Sequence, residues 1–403
     1  MSDKDIPEAE LEVVDQETAE ETLQSGSAEE GGPDGSDEGS RDSANPDGSE
    51  EEEVEAKKKT SAVTPSEGFA AWMREMNASI AFSTYQASRL LLIGPTQGEK
   101  VRINESSFER CLGLWGDGES LWVATLFQIW RLDNLLMPGK MHKHYDRVYV
   151  PRMGYVTSNV DAHDLALNAD GECLFANTAF SCLARTSPSA SFVPIWRPNF
   201  ITQMKSEDRC HLNGLAMRDG RAAFMTAIAE SDEKQGWREL RGDGGLILSI
   251  ADSEIVYRGL CMPHSPRWHD GKLWVINSGL GELGYLEPND WQFRPVALLP
   301  GYGRGLTFIG DYAVVGVSMP RDMKTFGGLP LDDVLEEAGL LPKCGLVVVN
   351  LKTGTIDHHL WIEGHIVELY DVTMLEGVRS PMALDFNGKE IKRWIKLGRP
   401  GID

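Results

Sequence analysis

The stretch SPRWHDGKLWVINS, residues 265–278, decides how the chain is read. It runs as a short strand, turns at Asp270-Gly271 and returns as an apolar strand. An Asp-Gly pair between two such runs marks a tight hairpin, because the turn needs positive φ. Five other stretches share the plan: LGLWGDGESLWVAT from Leu112, HDLALNADGECLFAN from His163, NGLAMRDGRAAFMTA from Asn213, RGLTFIGDYAVVGVS from Arg304 and YDVTMLEGVRSPMAL from Tyr370. Asp117-Gly118, Asp170-Gly171 and Asp219-Gly220 hold the turn in the first three, and Gly310-Asp311 and Glu376-Gly377 in the last two. Start to start, the six units lie 51, 50, 52, 39 and 66 residues apart. That spacing suits four-stranded propeller blades with unequal loops.

A propeller must join its ends or leave open sheet edges. The segment SIAFSTYQASRLLLIGPTQGEKVRI, residues 79–103, supplies two or three strands with no unit of their own, and the last unit has only about two. Pairing them makes one composite blade. The expected fold is therefore an all-β, six-bladed β-propeller closed by N-terminal strands, or seven-bladed if 79–103 stands alone. Helical periodicity is confined to 68–77, where Phe69, Trp72 and Met76 share a face, and to 331–341, which is either a lid or blade decoration.

The 403 residues carry 62 acidic and 39 basic side chains, a net charge of −23. Residues 1–60 hold 21 acidic and 5 basic side chains and no aromatic, which leaves a net of only −7 for the rest. So acidic and apolar-poor a segment cannot bury enough surface to offset its ordering entropy, so a disordered tail is expected over 1–66 and the propeller over 67–397. No Lys/Arg stripe stands out and the sign is wrong for phosphate, which argues against nucleic acid. The start, MSDKDIPEAE, lacks the basic and apolar regions of a secretory signal, and no apolar run approaches a membrane span. A cytoplasmic protein with no membrane partner is expected. Six cysteines without a CxxC pair suit reduced, buried thiols.

Each unit opens with the innermost strand, whose start lies at one mouth of the central channel. Aligning the units there gives the column Leu112, His163, Asn213, Ser265, Arg304 and Tyr370, five of them polar where a buried strand begins. Buried polar groups need partners. His163, His211 and His264 approach this mouth from consecutive blades, and with Glu368 or Asp371 as fourth ligand or general base they could hold Zn, Fe, Mn or Cu. Counted back from the residue after that column, His163 lies one residue before, His264 two and His211 three, so alternation sends His163 and His264 to opposite sides unless the loops compensate. A non-metal polar pocket and histidines that only stabilise the blades are the competing readings. Tyr370 is a candidate proton donor, and Arg304 a candidate clamp for an anionic group. Asn213, Ser265 and Asp164 are candidate substrate contacts. Arg304 could instead be paired with Asp164 or Asp371. Cys210 and Cys261, beside His211 and His264, raise a weaker thiol-nucleophile reading. No GxSxG, P-loop, GxGxxG after a strand or HExxH occurs.

The strings TYQASRLLLIG from Thr84, LWVATLFQIWRLDN from Leu121, SFVPIWRPNFI from Ser191, EDRCHLNGLAM from Glu207 and MPHSPRWHDGKLWVINSG from Met262 are similar to an uncharacterised bacterial family of the DUF4915 type. GLPLDD from Gly328 and ELYDV from Glu368 fit it as well, and the resemblance spans about residues 68–386. It implies a grouping but no reaction. On fold alone the chain also resembles six-bladed propellers of the gluconolactonase, NHL and peptide-amidating lyase kind, whose channel mouth often carries a metal. The acidic first-blade ligand of the gluconolactonase kind is absent, since Leu112 holds that place.

The expected function is a metal-dependent enzyme acting on a small molecule or peptide at the channel mouth: a hydrolase, lyase or oxidoreductase. The alternative is a non-catalytic scaffold or ligand-binding propeller, with protein partners on the rim loops or the acidic tail.

Overall fold

The computed structural model describes residues 61–320 and 328–398, and Ser61–Ile391 form one compact unit. A second unit contributes only residues 392–398 to the described chain. The expected disorder over 1–60 lies outside the described residues.

Six antiparallel sheets succeed one another in the order of the sequence units. The first blade has Leu114–Gly116, Ser120–Ala124, Gln128–Asn134 and Arg147–Val156; the second has Ala162–Leu167, Cys173–Asn177, Cys182–Arg185 and Val193–Trp196. The third has Leu212–Arg218, Arg221–Ala227, Gly245–Ser249 and Ile255–Leu260. Pro263–His269, Lys272–Asn277, Glu282–Leu286 and Phe293–Leu298 make the fourth. Tyr302–Ile309, Tyr312–Ser318, Gly345–Asn350 and Ile356–Glu363 make the fifth. In the sixth, Val372–Glu376 from the C-terminal side pairs with Ala78–Thr84, followed by Arg89–Pro95 and Val101–Ser107. The composite blade is thus one strand plus three. The chain is a six-bladed β-propeller.

Two strands overrun this plan. Pro381–Ala383, expected in the composite blade, instead pairs in parallel with Arg147–Val156 on the outer edge of the first blade. Ala62–Pro65 pairs with Ile356–Glu363, so ordered chain begins before the expected start at 67. Both cover an outer strand that would otherwise offer unpaired backbone groups to solvent. Two of the Asp-Gly turns form as read, with Asp219, Gly220, Asp270 and Gly271 all at positive φ, while at the other two only Gly118 and Gly171 are positive.

The apolar positions of the strands fill the spaces between blades, where Trp274, Ile276, Leu306 and Val315 share one cluster. The two helices are Phe69–Glu75 and Pro330–Glu337. The second is shorter than expected and packed down, Leu331 and Leu335 being buried in one cluster with Trp237, Met262 and Tyr302.

Blades are also laced together by hydroxyls at the ends of their second strands. Ser83 Oγ donates to the Leu112 carbonyl at 2.6 Å, Thr178 Oγ1 to Leu212 at 2.6 Å, Ser278 Oγ to Gly303 at 2.6 Å and Ser318 Oγ to Leu369 at 3.2 Å. Between the third and fourth blades, Thr226 Oγ1 donates to Asn213 Oδ1 and Asn213 Nδ2 donates to the Pro263 carbonyl. Inner strands pass close to one another. At Gly305, φ +76°, an added Cβ would sit 2.6 Å from the Val372 nitrogen. Gly305→Ala is therefore expected to cost about 1–3 kcal/mol by overcrowding alone, read from urea denaturation.

Candidate functional site

The starts of the inner strands carry the polar column into the ring, and the structure divides its members into two layers. The deeper layer is structural. Asp164 Oδ2 accepts from the Leu215 N–H at 2.9 Å, Ser265 Oγ from Gly305 at 2.9 Å and Asp371 Oδ2 from Leu114 at 2.8 Å. Each side chain of the second, fourth and sixth blades thereby holds the backbone of the blade that follows. Arg267 joins them. Its guanidinium donates to both oxygens of Asp164, at 2.7 and 3.1 Å, and lies 3.6 Å from Asp371. It also donates to the carbonyls of Leu306, Leu215 and Pro266. The ion pair considered for Arg304 is thus made by Arg267. Burial, and then the charge of Asp164, pushes the Asp371 carboxyl up to about 7 despite Arg267. Glu368, buried at the entry to the sixth blade, accepts from the Gln86 N–H at 2.6 Å.

The upper layer surrounds a cavity of about 380 Å³ at the mouth. His163, His211, Arg304 and Tyr370 line it, together with Tyr85, Arg110, Asp208 and Trp237. The register mismatch of the histidines is resolved by backbone kinks. Asp161 and Met262 both have φ near +50°, and each accepts the Nδ1–H of the histidine two residues on, Asp161 from His163 at 3.0 Å and Met262 from His264 at 2.8 Å. Thr178 Oγ1 and Ser278 Oγ lie 2.8 and 3.1 Å from the same nitrogens. Since Ser265 is itself at φ +50° and the pairing shifts between His264 and Arg267, His264 is the counterpart of His163. Ser265 is an extra residue, and the sequence alignment was off by one there. A carbonyl can only accept, so both imidazoles carry their proton on Nδ1. Burial holds His163 down at about 4 and His264 well below the usual range, with the nearby Arg304 charge the second cause for His264. At neutral pH both rings are uncharged.

His211 is different. Its φ is +51°, and Nδ1 lies 3.0 Å from each oxygen of Asp208. Asp208 Oδ2 also accepts from the Trp237 indole N–H at 2.8 Å. The Trp237 ring covers His211 at a centroid separation of 4.2 Å, and His163 meets His211 edge-on at 4.8 Å. His211 is therefore oriented by a carboxylate, the pairing that fixes a histidine for proton transfer.

The sequence overlooked Asp208 and Trp237. Asp208 stands three residues before His211 in DRCH, which was a readable signal. Trp237 lies on the loop turn Gly236–Leu240, and no periodicity points to it.

Among the described residues, no three of His, Cys, Asp and Glu gather closely enough to hold a metal ion. His163 and His211 meet at the mouth and His264 lies close enough to feel both, but so does Arg304, whose fixed positive charge opposes an added cation. The thiol reading is corrected. All six cysteines are buried, and burial pushes Cys210 up to about 12 and Cys261 up to about 11, so neither is an activated nucleophile.

Over residues 67–384 the sequence matches a family described as a domain of unknown function, DUF4915. The chain belongs to that family. Among curated proteins none matches it. Its solved structural neighbours include the nidogen/laminin complex, at 10% identity and TM-score 0.47, covering 74% of this chain and 99% of that one. A virginiamycin B lyase from Staphylococcus aureus aligns at 13% identity and TM-score 0.39, covering 59% and 73%. A protein of unknown function from Bacteroides caccae aligns at 9% identity and TM-score 0.43, covering 74% and 98%. Among the described residues, no helix is long and apolar enough to cross a membrane.

Proposed function

We propose that this DUF4915 chain is an enzyme that binds a small molecule in the mouth cavity and moves a proton through His211. The observation that carries the reading is the bond of His211 Nδ1 to Asp208 inside that cavity. With Nδ1 bonded to the carboxylate, Nε2 is the ring nitrogen left for proton transfer. It takes a proton from the bound substrate, Asp208 stabilises the imidazolium that forms, and the proton is returned in the product-forming step. Trp237 fixes the carboxylate and shields it from water. The fixed charge of Arg304 stands beside the reacting position and can stabilise negative charge that develops there, whereas neutral His163, its Nδ1–H given to Asp161, offers Nε2 only as an acceptor.

This reading departs from the metal-dependent enzyme expected from the sequence. It is favoured over the scaffold because a scaffold has no need of a buried histidine–carboxylate pair facing an open cavity. Incubation of the full-length protein with a metabolite library in D₂O, followed by NMR, tests it. Wild-type protein should exchange or convert at least one compound. His211→Gln should lose about 10²–10⁴ of the rate and Asp208→Asn a smaller share. Conversion that survives His211→Gln would sink the assignment. One equivalent of bound transition metal, lost from a folded His163→Ala/His211→Ala/His264→Ala variant, would replace it with a metal-centred mechanism.

A further inference from the structure

The cavity wall is a continuous arc of rings closed by arginines. Arg110 lies over Tyr85, with Cζ 4.5 Å from the centroid. Tyr85 stacks on Tyr370 at 6.0 Å, and Arg304 lies over Tyr370 at 5.0 Å. Tyr370 meets His163 edge-on at 5.4 Å, and the arc continues through His211 to Trp237, over which Arg238 sits at 4.5 Å. His163 meets Tyr370 and His211 with interplanar angles of 65° and 85°. The edge of an aromatic ring is its positive region.

The charges sort the same way. Of the acids of the wall, Asp208 is bonded to His211 and Glu207 to Arg209 at 2.7 and 2.9 Å, while the Asp161 carboxylate lies 3.7 Å from His163 and feels the charge of Arg304. Among the described residues, no carboxylate lies within salt-bridge distance of Arg110, Lys234 or Arg238. All three line the cavity, as does Arg304. The charges of Arg110, Lys234 and Arg238, which no carboxylate pairs among the described residues, make the opening locally positive on a chain whose net charge is −23.

We propose that the ligand of this cavity is a small organic carboxylate, drawn in past Lys234 and Arg238 and held between Arg304 and Arg110. The proposal deepens the reading of the cavity as a proton-transfer site and rests on it for the ligand's role, but not for its binding. Arginine matches a carboxylate through paired N–H donors, and that contact discriminates against a neutral isostere. The arrangement also gives the proton-transfer chemistry a purpose: a cation placed beside a carboxylate stabilises the negative charge that grows when a proton next to it is removed.

The test is calorimetric titration and thermal shift of the full-length protein with succinate and benzoate, each against its neutral amide, succinamide and benzamide. At least one acid is expected to bind about tenfold or more tighter than its amide and to weaken as salt rises. The exposed pair Lys234→Ser/Arg238→Ser should weaken it severalfold while leaving the melting temperature of the free protein unchanged. Arg304→Gln should weaken it further. Equal binding of acid and amide, binding indifferent to both variants, or no binding of either acid would overturn the proposal. Titrating His211→Gln keeps the two readings apart. Acid binding retained there with no conversion of any compound would sink the proton-transfer step and keep the carboxylate site. Conversion of an uncharged substrate by wild type would do the reverse.

Discussion

Replacing Arg267 by methionine is expected to destabilise the propeller by about 3–5 kcal/mol, the cost typical of leaving a buried charge without its partner. Asp164 and Asp371 come from the second and sixth blades and are each under a twentieth exposed. Only the guanidinium from the fourth blade separates their charges. The same group satisfies carbonyls of the third, fourth and fifth blades, and Asp371 in turn holds Leu114 of the first. All six blades therefore converge on one side chain. Urea denaturation at pH 7 measures the loss. Asp371 should then protonate more readily, so the deficit should shrink as the pH is lowered. The triple variant Arg267→Met/Asp164→Asn/Asp371→Asn should recover part of it, since the uncompensated charge is what costs most. A single-variant loss under about 1 kcal/mol would show that the ring is held by its strand pairing alone.

Why the fold was legible and the site only partly so follows from the kinds of residue involved. Five Asp-Gly or Gly-Asp turns and one Glu-Gly turn between apolar runs are local signals, and local signals repeat in the sequence. The hydroxyls of Ser83, Thr178, Ser278 and Ser318 also repeat, each closing a second strand, but their partners are carbonyls of the next blade and no spacing shows that. The column of polar residues was visible, yet its division into a structural layer and a cavity layer was not. Asp164, Asp371 and Ser265 look like ligand contacts in a string of letters and turn out to hold neighbouring backbones. The one-residue error at Ser265 came from a left-handed residue inserted in a strand, which a sequence can hide because a serine there is unremarkable. Convergence of His163 and His211 at the mouth was foreseen, while the group that gives His211 its chemistry, Asp208, was read past. Arg267 was missed for the opposite reason: it sits within the very stretch that revealed the fold, and turn and strand accounted for everything else there.

Acid should weaken the protein through the same mouth. His163 is held at about 4, chiefly by burial, against about 6.5 in an unfolded chain. The folded state therefore holds fewer protons than the unfolded one below pH 6.5, and the stability present above that value is lost as the pH falls through 4. A depression of this size corresponds to about 3 kcal/mol. His264 acts in the same direction, its ring lowered first by burial and next by Arg304. Asp371 opposes them: its raised folded value, about 7, contributes stability that is complete below about 4 and lost as the pH rises to 7. Two groups against one predicts a net fall from pH 6.5 to 4.5. Urea midpoints across that range should drop in the wild type, drop less in His163→Gln and drop more steeply in Asp371→Asn. A His163→Gln profile parallel to that of the wild type would mean that the ring is already charged in the folded protein. That result would also unsettle the picture of the site, in which Arg304 stands as a fixed cation beside two neutral imidazoles.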